Sequence, residues 1–212
     1  MSPRPRATSD ADILGATLRV VSRIGPGLTL ADVAKEAGVS PATLVQRFGS
    51  KRGLLLALTA GNSGGVGAKF SRIRAAHRSP IAAVYAVADC MAAMAGTPEM
   101  MSNSLAFLQI DLTDPDFHRH AHAHSRAMQG ELRTLLDEAI HAGELQRCET
   151  MRPARAVQSL IGGSLRQWAI DRDGKAVDRL RQDLDTLLEP RHGPPRPRRR
   201  RPSGTNRKRV RS

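Results

Sequence analysis

From Ala11 to Leu188 the apolar residues recur every three to four positions, and no segment alternates at the period of a strand. A chain patterned this way can bury its apolar stripes only by packing helix against helix. Ala11, Ile13, Leu14, Thr17, Leu18 and Val21 form one stripe, with Ser9 or Asp10 as its cap, and Gly25-Pro26-Gly27 stops it. The spacing predicts further helices over 30–37, 41–48, from Lys51 toward Gly61, and over 81–95, 98–112, 114–142, 153–170 and 175–188. Asn62-Ser63-Gly64-Gly65 should break or kink the fourth, leaving open whether it resumes through Phe70 and Ile73. The expectation is an all-α chain of nine helices, an N-terminal unit of three and a bundle of six. Aromatic residues make up only 3%, too few for a sheet protein or for a binder that stacks RNA bases.

The net charge of +13 is unevenly placed. Residues 190–212 carry ten Lys/Arg and no acid, residues 1–52 carry eight Lys/Arg against four acids, and residues 53–189 are close to neutral. Such a balance points to an anionic polymer, most often nucleic acid, as partner. The two cysteines, Cys90 and Cys148, form no CxxC pair; a disulfide framework and a cysteine-rich zinc site are excluded, and a reducing cytoplasm is expected. No stretch approaches the ~20 apolar residues of a membrane span, and the basic N-terminus lacks a signal peptide's apolar run.

The most specific segment is Leu28–Lys51, LTLADVAKEAGVSPATLVQRFGSK. Thr29 and Ser40 are placed to cap two short helices, Gly38 sits where a tight turn needs positive φ, and Pro41 occupies a favoured first helical position. Val33, Ala34, Ala37, Val39, Leu44 and Phe48 can share a core, which makes a helix-turn-helix. The second helix can enter the major groove. Its small first residues, Ser40, Pro41, Ala42 and Thr43, permit close approach, and Val45, Gln46 and Arg47 project from the faces that Leu44 and Phe48 leave free. Gln46 can pair with adenine and Arg47 with guanine or phosphate. Thr29 and Lys51 are expected at phosphates.

With the preceding helix and its Gly-Pro-Gly exit, Leu28-Thr29, Val33-Ala34, Ala37-Gly38-Val39-Ser40, Thr43-Leu44, Phe48, Ser50-Lys51 and Leu54-Leu55 resemble the TetR family of bacterial transcriptional regulators over roughly the first quarter of the chain. The sequence departs at Val45, where the family commonly has an aromatic, and at Arg47, often histidine there. The resemblance implies a homodimer on a palindromic operator, released by a small ligand held in the bundle, and a repressor. Charge placement and composition divide the chain at the same places: a helix-turn-helix domain at 1–52 with a flexible N-terminal arm, a ligand-binding and dimerisation domain at 53–189, and a basic tail at 190–212 whose Arg-Pro run is expected to be disordered.

Weaker constellations lie in the bundle. Asp89, among apolar neighbours with Tyr85 one turn away, is a candidate ligand anchor; pairing with an arginine elsewhere in the bundle is the plainer reading. Met94, Leu108, Phe117, Ile161 and Leu165 are the other candidate ligand-binding residues, and each could equally be core. His118, His120, His122 and His124 form two i,i+4 pairs on different faces without a metalloprotease signature, so neither metal nor cofactor is expected. Leu160–Leu165 with its small Gly162 and Gly163, Trp168, and the last helix with Val177, Leu180, Leu184, Leu187 and Leu188 make the candidate dimer face. The Arg-rich tail is read as a non-specific phosphate contact. No nucleophile–base pair, phosphate loop or carboxylate pair marks an enzyme. The competing class is an architectural, nucleoid-type DNA binder without a ligand.

Overall fold

The computed structural model describes residues 8–189, so the N-terminal arm and the basic tail lie outside the described residues. Within that span ten α-helices follow one another: α1 (Asp10–Ile24), α2 (Leu30–Ala37), α3 (Pro41–Phe48), α4 (Lys51–Gly64), α5 (Val66–Ala76), α6 (Pro80–Ala95), α7 (Pro98–Thr113), α8 (Pro115–His141), α9 (Met151–Asp171) and α10 (Ala176–Leu188). The described residues contain no β-strand. Helix starts follow local chemistry. Ser9, Thr29, Ser40, Ser50, Ser79 and Thr97 each accept a hydrogen bond from a backbone N–H in the first turn of their helix. Proline opens α3, α6, α7 and α8. Gly38 takes the left-handed conformation (φ 66°, ψ 34°) that turns the chain between α2 and α3.

The fourth expected helix is two helices. α4 ends at Gly64 and α5 starts at Val66, giving ten α-helices where nine were expected. Gly61, Gly64 and Gly65 are poor helix formers with little side-chain packing to hold a straight rod. α9 begins at Met151, earlier than expected, which puts Pro153 within its first turn.

Two apolar clusters form the interior. In the first, Ile13, Val20, Leu28, Val33 and Leu44 of the head pack with Leu54, Leu55 and Leu58 of α4, and with Phe107 and Phe117. In the second, α5, α6, α8, α9 and α10 bury Phe70, Val84, Val87, Leu132, Leu135, Ile161, Trp168, Leu180, Leu184 and Leu188. The candidate dimer face is therefore corrected: Leu165, Trp168, Leu180, Leu184 and Leu188 turn into the protomer's own core. The exposed positions of α9 include Gly162, which like Gly163 has nothing near where a Cβ would stand, and Ile170, 66% exposed.

The joint between the clusters is specific. Asn103 on α7 donates from Nδ2 to the carbonyls of Ser22 (3.0 Å) and Arg23 (2.9 Å) at the end of α1. Arg52, one residue into α4, reaches Asp114 (2.9 Å) and Asp116 (2.8 Å) at the start of α8, with its guanidinium 5.6 Å from the centre of the Phe117 ring. The Phe117 ring meets Phe107 edge-on at 6.1 Å.

The crossing of α3 onto α4 is tight at Gly53, where a Cβ would run into the carbonyl oxygen of Phe48. Backbone atoms on both sides leave no cheap relief. Gly53→Ala is expected to cost about 2–4 kcal/mol, lowering Tm by roughly 5–12 °C in thermal unfolding; an unchanged Tm would mean that the two backbones can part without loss.

Candidate nucleic-acid interface and effector cavity

Leu44 is fully buried against the head's core, which fixes how α3 rolls. Pro41, Ala42, Val45, Gln46 and Arg47 are consequently exposed, Val45 at 48%. The Ser40 and Thr43 hydroxyls lie 2.9 Å apart, and Ser40 Oγ accepts from the Thr43 N–H at 3.1 Å, so this pair shapes the N-terminus of α3. A helix whose first turn is small and exposed, followed by Val45 and Gln46, can meet base edges in the major groove.

Three of the sequence-predicted contacts are engaged within the protein. Arg47 donates to the Thr8 carbonyl (2.6 Å) and pairs with Asp10 (2.6 Å), which folds it back onto the start of α1. Lys51 Nζ donates to the Pro26 carbonyl (2.8 Å), using one of its three protons. At Thr29 the expectation of a free phosphate anchor is corrected: both its N–H and its hydroxyl donate to Asp32 (2.7 Å each). Those bonds, the hydroxyl's first, hold the Asp32 carboxyl below the usual carboxylate range. An ionised side chain therefore stands at the N-terminus of α2, where a phosphate would be repelled.

A guanidinium held by one carboxylate must be released before it can reach phosphate or guanine, so Asp10 would compete with DNA for Arg47. Asp10→Asn is expected to tighten DNA binding two- to ten-fold at low salt in fluorescence anisotropy, and Arg47→Ala to cancel that gain. Equal affinity for Asp10→Asn and the parent would mean that Arg47 stays on α1 in the complex.

A cavity of about 530 Å³ opens between α4, α5, α6, α7, α8 and α9. Val66, Met91, Met94, Leu108 and Met128 supply its apolar wall; Lys69, Arg72, Asp111, His120, His124 and Gln158 supply polar groups. Of the seven candidate ligand residues, Met94 and Leu108 are on this wall. The other five are elsewhere. Asp89 is held by both arms of Arg181 (2.8 and 2.6 Å), and the Tyr85 hydroxyl donates to Asp185 at 2.5 Å, so these two tie α6 to α10. Burial, then the Asp185 carboxylate, pushes the Tyr85 phenol's pKa up. Phe117 belongs to the head–body joint, and Ile161 and Leu165 to the bundle core.

The sequence reading missed Asp111, Gln158, Lys69 and Arg72. Asp111 follows Leu108 by one helical turn, which was the one available sign that they share a face. Burial pushes the Asp111 carboxyl up to about 6. The histidine tract divides: His120 and His124 line the cavity, while His118 and His122 are exposed and stack at 6.3 Å. Burial lowers the His124 pKa and outweighs its hydrogen bond to the Asn62 backbone. Among the described residues no group of three metal-ligating side chains is placed to hold an ion.

An aspartate in an unfolded chain titrates near about 3.9. The folded protein therefore binds the Asp111 proton more tightly, and this group makes stability fall as pH rises from about 4 to about 6. Partial solvent access limits the penalty above pH 6 to about 1–2 kcal/mol. Asp111→Asn should raise Tm at pH 7.5 by roughly 2–6 °C, with the gain shrinking toward zero below pH 4. A lower Tm at pH 7.5 would reveal a partner that stabilises the carboxylate.

A family model described as "bacterial regulatory proteins, tetR family" matches residues 13–58, the span from α1 into α4. No curated protein matches the chain. Among solved structures, the fold is similar to that of a TetR transcription regulator from Haloarcula marismortui (TM-score 0.67, 18% identity, covering 86% of this chain and 97% of that one). It is also similar to a TetR transcriptional regulator from Streptomyces coelicolor (TM-score 0.64, 23% identity, 85% and 98% covered). A third is the transcriptional regulator FadR from Bacillus subtilis in complex with stearoyl-CoA (TM-score 0.63, 18% identity, 85% and 98% covered). Residues 13–58 thus match the model of the tetR family of bacterial regulatory proteins, and the described helices have the fold of these solved regulators.

Proposed function

We propose that this regulator binds a palindromic operator as a homodimer, represses transcription there, and is released when a small molecule fills the cavity. The observation that carries the reading is the course of α4. It starts against the recognition helix, is held at Arg52 by the turn into α8, and ends with Thr59, Gly61 and Asn62 on the cavity wall. A ligand that fits better when α4 is displaced shifts the population away from the state whose heads match DNA. That FadR has been solved with stearoyl-CoA supports a ligand-binding role for this fold. No single helix among the described residues is long and apolar enough to cross a membrane, and we place the protein with the chromosome in the cytoplasm. We assign it no catalytic step.

The outward side of α9, where Gly162 and Gly163 are open and Ile170 is exposed, together with α10, is the proposed dimer face. A two-fold dimer presents two recognition helices about one DNA turn apart, ~34–36 Å, or a multiple of it. Ser40, Pro41, Ala42, Thr43, Val45 and Gln46 are proposed to face bases and their flanking phosphates, with Arg47 joining once freed and Lys51 at the backbone. An architectural DNA binder gives the cavity no role, so we do not favour it.

Selection of bound DNA from a random pool by the full chain tests this. The expected product is an inverted repeat, and Gln46→Ala should relax one position in each half-site by about 1–3 kcal/mol. Enriched sites without two-fold symmetry would overturn the homodimer reading; no enrichment at all would favour the architectural one.

A further inference from the structure

Four buried side-chain nitrogen or oxygen atoms among the described residues lack a hydrogen-bond partner in the protein: Asp111 Oδ1, His124 Nδ1, Gln158 Oε1 and Arg74 Nε. Arg74 Nε still lies 3.3 Å from Glu138 in an ion pair. The other three residues all line the one cavity. Buried polar atoms are ordinarily satisfied, and these three sit on residues that line one cavity, so a turn of those side chains toward an incoming donor would satisfy them.

Their chemistry is of one kind. A carboxylate oxygen and an amide oxygen accept hydrogen bonds. Burial lowers the His124 pKa, with Lys69 adding to the effect, and its bond to the Asn62 backbone leaves Nδ1 as the unbonded nitrogen. When Nε2–H donates to that backbone, Nδ1 of a neutral ring is an acceptor. Gln158 already donates from Nε2 to Ser125 (3.2 Å), which orients its oxygen. Asp111 has no neighbouring cation, since burial alone accounts for its displaced titration. The cavity's two cations are both on α5: Arg72 is exposed, and the Lys69 ammonium rests 3.3 Å from Met94 Sδ, whose side chain is itself half-exposed. Arg72 stands at the solvent side, where water screens it, whereas the half-buried Lys69 is close enough for His124 to feel its charge.

Resting on the reading of this cavity as the effector site, we propose that its effector is an amphipathic organic cation. A protonated amine, amidine or guanidine would donate to Asp111, His124 and Gln158 while its apolar body lies against Met91, Met94 and Leu108. Methionine walls adapt to such bodies without demanding one shape. At neutral pH the Asp111 carboxyl is ionised, so the cation meets a full negative charge. The titratable groups facing the site are Lys69 and Arg72 from α5, Asp111 from α7, and His120 and His124 from α8. As pH falls through about 6, Asp111 loses its charge, which weakens cation binding.

Calorimetry on the full chain with 4-phenylbutylamine, 4-phenylbutanol and 4-phenylbutanoate separates charge from hydrophobic fit, because the three share one body. At pH 7.5 the amine should bind at least ten-fold tighter than either other probe, lose most of that advantage at pH 5, and show no more than a two-fold preference in Asp111→Asn. Tightest binding of the carboxylate, an amine preference untouched by Asp111→Asn, or no amine binding at millimolar concentration each overturns the proposal. Measuring affinity for the selected operator with each probe distinguishes the two readings. An amine that binds through Asp111 without weakening DNA binding sinks ligand-controlled release and leaves the cation site. A carboxylate that binds and releases DNA sinks the cation site and leaves ligand control.

Discussion

Arg52 joins the helix-turn-helix head to the helical body with a single side chain. It is exposed at 51%, and an isolated ion pair at that exposure contributes little to stability. Its importance lies in how many elements it holds at once. The same guanidinium meets Asp114, which caps α8, and Asp116 in that helix's first turn, and it lies over Phe117, which is buried against the head's apolar cluster. Asn103 makes a parallel clamp from α7 onto the end of α1. The head is therefore fixed at two ends by α7 and α8, the helices that also bring Leu108, Asp111, His120 and His124 to the cavity. The cavity wall and the clamps on the head thus share two helices, the physical route that the proposed ligand control would use.

What could be read from the sequence was what depends on neighbours in the chain. Caps act within three residues, and those expected at Ser9, Thr29 and Ser40 are found there, as are further ones at Ser50, Ser79 and Thr97. Gly38 and Pro41 are equally local signals, so the head was almost wholly legible. The α4–α5 break was foreseen as a possibility, since glycines weaken a helix without dictating where it stops. The cavity was not legible, because its residues come from six helices and their roles are set by what faces them. Asp89 and Asp111 look alike in sequence; the first finds Arg181, 92 positions away, and the second finds no cation. Tyr85 likewise meets Asp185 at a separation of 100 positions. No local pattern encodes such pairings, and periodicity says only that a residue turns inward.

Charge placement in the head follows the same division. The excess of Lys and Arg over acid suggests phosphate binding, yet the acids are not spread at random. Asp10 holds Arg47, Asp32 holds Thr29, and Glu36 holds Arg19 and Arg23. Each acid shapes the surface that DNA would meet, by occupying a donor or by setting a negative charge at a helix start. A head so arranged adds less unspecific phosphate attraction than its formula charge implies, which leaves more of the binding energy to groups that touch bases.

The orphaned acceptors in the cavity link stability to response. Three buried polar atoms without partners cost the protomer free energy that an apolar lining would not. A molecule that donates to them recovers part of that cost only where Asp111, His124 and Gln158 converge, and these sit on three different helices, α7, α8 and α9. Its binding therefore favours whichever arrangement of α7, α8 and α9 brings the acceptors to their best distance from the donor. Since α7 and α8 also carry the clamps on the head, that preferred arrangement need not be the one that suits DNA. A difference of 1–3 kcal/mol between the two arrangements gives roughly 5- to 150-fold coupling between ligand and operator. A ligand that met these acceptors equally well in both arrangements would shift nothing, however tightly it bound.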